Sequence, residues 1–133
     1  MRIVLTLLFL LLSSHAFAHQ ISTGYLTLQP LDERAGTYRG ELQWRLFDLE
    51  RAVGLDTNRD GALTWGEVQA GDKSVTSLAL QAFTVSTREG ACDVNVLPKW
   101  QIDKHYNEAY VWLPLQVQCE SAAPLQITYK GLF

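Results

Sequence analysis

Ala109-Tyr110-Val111-Trp112-Leu113-Pro114-Leu115-Gln116-Val117-Gln118 is the stretch that decides the fold class. Ala109, Val111, Leu113, Leu115 and Val117 fall on one face of an extended chain, and Tyr110, Trp112, Gln116 and Gln118 fall on the other. A period of two with one apolar side is the signature of a half-buried β-strand. Working outward, Leu125, Ile127 and Tyr129 give a short last strand. Phe83, Val85 and Thr87 alternate up to Arg88-Glu89-Gly90, a hairpin signal, and residues 91–97 read as the return strand. Near the start, residues 38–47 place Leu42, Trp44 and Leu46 on one face and Glu41, Gln43 and Arg45 on the other. Residues 21–29 alternate more loosely around Leu26 and Leu28, and Asp32 to Gly36 is a polar turn between the two.

The middle of the chain departs from this period. Asp48 is placed to cap a short helix running through Leu55, and a second helical stretch reaches about Ala82, with Gly66 and Gly71 weakening its first turns. Between the two lies Asp56-Thr57-Asn58-Arg59-Asp60-Gly61-Ala62-Leu63-Thr64-Trp65-Gly66-Glu67. This segment fits D-x-[DN]-x-[DN]-G-x₅-E at every fixed position, the pattern of an EF-hand calcium loop. Ca²⁺ is a hard cation that takes six to eight oxygens. Asp56, Asn58 and Asp60 would supply side-chain oxygens from alternate positions, and Gly61 would permit the sharp turn. The Ala62 carbonyl would be the next ligand. Thr64 would ligate directly or hold a bridging water, and Glu67 would close the shell with both carboxylate oxygens. Leu63 carries the apolar anchor that ties such a loop to a core. The competing reading is an Asp/Asn-rich turn that caps a helix without metal. A lone loop outside the cytosol is expected to bind with Kd of about 10⁻⁵ to 10⁻³ M.

The expected fold is therefore mainly β with a helical insertion (α+β). It is a small antiparallel β-sandwich of six strands carrying one helix–EF-loop–helix insertion at about 48–82. At 133 residues, 47% hydrophobic and 19% charged, the chain suits one ordered domain. Residues 1–18 read as a signal peptide. Arg2 is the positive n-region, Ile3–Leu12 is an apolar run too short to span a bilayer comfortably, and Ala16-Phe17-Ala18 is a cleavage site. Residues 19–133 are then a single exported domain. Losing Arg2 moves the net charge from −3 to about −4. No Lys/Arg run marks a nucleic-acid surface. In an oxidising compartment Cys92 and Cys119 are most simply a disulfide, worth about 3–4 kcal/mol in the chain-entropy model.

Other chemistry is sparse. His19 would begin the exported chain, and a free amine with an imidazole chelates Cu²⁺ or Ni²⁺. Adding His105 would complete a brace, unless His19 is a frayed terminus and His105 a loop residue. There is no nucleophile elbow and no phosphate loop, so no enzymatic activity is expected. Asp103 and Glu108 read as solvated loop charges at a hairpin tip.

Several pieces together resemble a known family. These are His19-Gln20-Ile21-Ser22 leading to Tyr25-Leu26-Thr27-Leu28, the block Asp48–Val68, His105 before Ala109-Tyr110-Val111, and the closing Tyr129-Lys130-Gly131-Leu132-Phe133. The chain resembles the exported N-terminal region of HupE/UreJ-like membrane proteins, hydrogenase- and urease-accessory relatives associated with nickel or cobalt uptake. The resemblance implies a periplasmic accessory domain of a metal permease. It also implies a membrane-spanning region after Phe133, which would hold the domain at the inner membrane, so the chain is expected to be a piece of a longer protein.

Overall fold

The computed structural model describes residues 23–31 and 34–133. Residues 1–18, read above as a signal peptide, lie outside them, as do His19 and residues 32 and 33. The described chain is mainly β, with antiparallel sheets and few helices. In order it runs β1 (Gly24–Pro30), β2 (Thr37–Arg45), α1 (Leu46–Val53), α2 (Trp65–Ala70), α3 (Asp72–Ala82), β3 (Phe83–Thr87), β4 (Gly90–Ala91), β5 (Asp93–Val96), β6 (Gln101–His105), β7 (Glu108–Gln118) and β8 (Gln126–Tyr129).

The larger sheet has β1, β2 and β7 side by side. The far edge of β7 is shared: β6 pairs with its first half and β5 with its second. Residues opposite one another across a ladder share a face, so the register builds rows. Leu26, Leu42 and Leu113 make one row, and Trp44, Val111 and Ile102 another. Leu42, Trp44, Val111, Leu113, Leu115 and Val117 are all buried, as the alternation of 109–118 requires. The smaller sheet is β4-β3-β8. Phe83 and Val85 of β3 enter the same core, as do Leu49 of α1 and Val75, Ala79 and Ala82 of α3. Those last three recur at helical spacing and form the buried stripe of α3. The two sheets also meet through a polar contact. Trp44, fully buried, donates its indole N–H to the Tyr129 hydroxyl at 3.1 Å.

Several expectations need correction. The second strand stops at Arg45, and Leu46 opens α1 instead of continuing the alternation. Asp48 does not cap that helix; it sits buried in the first turn, where a carboxylate also suits the helix dipole. The helix ends at Val53, because Gly54 adopts φ 68° and returns its N–H to the Glu50 carbonyl. The stretch to Ala82 is two helices. They break at Gly71, where a Cβ would collide with the Leu55 side chain, so glycine lets the loop's approach pack against its exit. Residues 91–97 are not one return strand. Gly90–Ala91 completes the hairpin with β3, and the chain then crosses to the larger sheet as β5. The crossing residue, Cys92, has its Sγ 2.02 Å from that of Cys119, which follows β7 directly. The strand β6 was unforeseen, and with it eight strands stand among the described residues where six were expected.

Candidate metal centre

The loop 56–67 hangs between two buried anchors, Leu55 before it and Val68 after it, with Leu63 packed part-way into the core. Its own polar residues face water. The winding starts at Asp56: Oδ1 accepts the Asp60 N–H at 3.2 Å and Oδ2 accepts the Gly61 N–H at 2.9 Å. Asn58 Oδ1 accepts the Asp60 N–H at 2.9 Å, and Asp60 Oδ1 accepts the Ala62 N–H at 2.9 Å. The Asn58 amide donates to Asp60 Oδ2 at 3.0 Å. The reversal is completed by Gly61 at φ 82°, a left-handed position that suits a residue without Cβ. On the near side, the Asp56 N–H is held by Glu50 Oε2 at 2.7 Å.

Glu67 closes the loop by a different set of bonds. Thr64 is the N-cap of α2, and Thr64 and Glu67 form a reciprocal capping box. Glu67 Oε2 accepts from the Thr64 N–H at 3.0 Å and from its hydroxyl at 2.8 Å. Oε1 accepts from the Thr57 N–H and hydroxyl, both at 3.2 Å. The Thr64 N–H, then the Thr64 hydroxyl, hold the Glu67 carboxyl below its ordinary value against an opposing desolvation. Among the described residues no three His, Cys, Asp or Glu side chains converge closely enough to hold a metal ion. Both Glu67 oxygens are engaged by Thr57 and Thr64. The donor chemistry still suits calcium: Asp56, Asn58, Asp60 and Glu67 offer hard oxygens only.

Set against protein-family models, curated proteins and solved structures, the chain matches none of them.

The remaining predicted residues lie elsewhere. His105 ends β6, and so is a strand residue and not a loop one; its ring stacks on Tyr25 with centroids 4.8 Å apart. Tyr110 and Tyr106 flank the same imidazole. Burial raises the Tyr110 phenol above its usual range, with Tyr25 and then Glu108 adding to the effect. Asp103 belongs to β6, and Glu108 opens β7. Glu108 is exposed as expected, but it is a strand residue and it is paired. It meets the buried Arg45 guanidinium at 3.2 Å, while Asp48 holds that guanidinium from the other side, also at 3.2 Å. The Arg45–Asp48 half of this cluster is an i,i+3 pair that the sequence displays. The Glu108 half carries no local signal. Trp65 stays about half exposed, and it shares a small slot with Trp100, whose indole donates to Asp72 at 2.8 Å.

Proposed function

We propose that the loop Asp56–Glu67 binds one Ca²⁺ ion, and that the protein is a non-enzymatic calcium-binding domain exported behind residues 1–18. In this reading the segment 48–82 is an EF-hand-type insertion in a small β-sandwich. The observation that carries it is the wound first half of the loop. Asp56 gathers the Asp60 and Gly61 N–H groups, Gly61 supplies the left-handed turn, and hard oxygens stand at positions 56, 58 and 60. Asp56, Asn58, Asp60, the Ala62 carbonyl, Thr64 and Glu67 would hold the ion. Bound calcium would supply a charge centre that ties the end of α1 to the start of α2. The resemblance of Asp48–Val68 and Tyr129–Phe133 to HupE/UreJ-like proteins extends the reading to a periplasmic accessory role beside a metal permease.

Calorimetric titration of calcium-stripped protein tests this. One saturable Ca²⁺ site is expected, with Mg²⁺ far weaker because it tolerates only near-octahedral shells. Glu67→Gln should lose most of the affinity. Absence of binding, or binding untouched by that substitution, would sink the proposal.

A second reading has a specific observation in its favour. His105 stacks on Tyr25, in the strand that the His19 segment leads into. A Cu²⁺ or Ni²⁺ chelate from His19 and His105 would require a free amine at His19. Cu²⁺ affinity that is identical with and without an extra N-terminal Gly on the processed protein would remove it.

A further inference from the structure

Between the loop, the first turn of α1 and the start of β7 lies a cleft of about 630 Å³, within the range of ligand-binding clefts. We propose that this cleft is a binding site for an organic cation carried on an apolar body, of the aryl- or alkylammonium class. The cleft shares Asp56 with the proposed calcium loop, and Gly61 and Leu63 of that loop complete one wall.

The argument begins with charge. Glu50, Asp56 and Glu108 line the cleft against a single cation, Arg45. That guanidinium is already engaged: Glu108 holds it at 3.2 Å, and the buried Asp48 holds it from behind at 3.2 Å. Four carboxylates against one guanidinium leave a local excess of three negative charges at neutral pH. Such a concave acidic wall concentrates cations and repels anions. Arg45 cannot reverse this preference, because its side chain is 8% exposed and its two terminal nitrogens already donate to Glu108 and Asp48.

The carboxylates are spread around the cleft, and no three of them gather at ligand spacing. Glu50 has one oxygen committed to the Asp56 N–H. A cation that spreads over several ångströms fits this distribution better than a point charge.

The apolar part of the lining then sets the rest of the ligand. Phe47 is 55% exposed although it lies in the first turn of a helix whose Leu49 is fully buried, so its ring is not serving the core. The Arg45 guanidinium lies 5.5 Å from the ring centroid. Leu63 faces the cleft from the loop side. An aromatic or alkyl body can cover Phe47 and Leu63 while its ammonium meets Glu50 or Glu108. Each methylene buried there would add to the affinity.

The test uses three probes of matched shape: phenethylamine, 3-phenylpropionate and 2-phenylethanol. Each is titrated into the purified protein in EGTA and followed by backbone-amide NMR. Chelation separates the result from the calcium reading. Phenethylamine should shift amides of Phe47, Leu63 and Glu108 saturably and bind about tenfold or more tightly than the carboxylate, as the sign of the field requires. Phe47→Ser and Glu50→Gln should each weaken the amine severalfold, with a melting curve confirming that each variant is folded. Glu108→Gln is a third arm, since it removes a carboxylate with a side chain that is 47% exposed. Equal binding of amine and carboxylate, shifts confined to another surface, unchanged affinity in all three variants, or no saturable amine binding would each overturn the proposal.

Discussion

Strand β7 and the loop 56–67 both use alternate residues, and they use them for opposite ends. In β7 the alternation hides side chains: Val111, Leu113, Leu115 and Val117 are fully buried between the larger sheet and the elements packed on it. In the loop the alternation presents oxygens, at Asp56, Asn58 and Asp60, and nearly every one of these groups faces water. The first pattern is stabilised by leaving water, at about 25 cal/mol for each Å² of apolar surface removed. The second is held by hydrogen bonds between exposed groups, each of which trades against water and adds little net stability. The protein is therefore firm where it is apolar and conditional where it is polar. Under the calcium reading, a bound ion would supply what the loop lacks in burial.

The largest effect that would sharpen this contrast is expected at Trp44. Trp44→Ala removes the bulkiest fully buried side chain and its bond to Tyr129. It should cost about 3–5 kcal/mol in denaturant unfolding. A loss under 1 kcal/mol would mean that the two sheets do not share a core. Next, replacing Cys92 and Cys119 together by Ser opens a cross-link between residues 27 apart. The expected loss is roughly 3–4 kcal/mol in the chain-entropy model. Protein recovered from an oxidising compartment should also show no alkylatable thiol before reduction, and two modified thiols would refute the bridge.

Effects on the loop should be smaller and should depend on calcium. At a hundredfold excess of free Ca²⁺ over Kd the gain is about 2.7 kcal/mol. Thermal melts in EGTA and in calcium should separate by several degrees for the wild type and coincide for Glu67→Gln. Equal melts for the wild type would place the loop with β7, as structure complete in itself. Smallest of all, Thr64→Ala removes the N-cap of α2 and should cost about 1 kcal/mol without calcium. A much larger cost would show that the loop supports the core and does not merely hang from it.

These differences also explain what could be read from the chain alone. Strands β2 and β7 were legible because each carries one apolar face over most of its length. The loop was legible because its proposed ligands lie within one short segment, each with a local task. The strand β6 was not, since Gln101–His105 offers a single apolar residue, Ile102, and lies at a sheet edge. Leu46 misled for the opposite reason: it continues the spacing of Leu42 and Trp44 although the chain has already turned into α1. The crossing at Cys92 was hidden because the hairpin signal at Arg88-Glu89-Gly90 accounts for the pairing of Ala91 but not for the departure of Asp93 to another sheet. The Arg45–Glu108 pair joins residues 63 apart in sequence, and so is a product of the register between β2 and β7.

The double engagement of Glu67 has a consequence in time. Its two oxygens accept from Thr57 and Thr64, and the same oxygens are those a calcium ion would take last. An ion meeting Asp56, Asn58 and Asp60 would wait there until the carboxylate swings away from its threonines. Capture would then proceed in two stages, a collision whose speed follows calcium concentration and a closure whose speed does not. At high calcium the observed rate would level off at the tempo of that one side chain, and Thr64 would act as the clock.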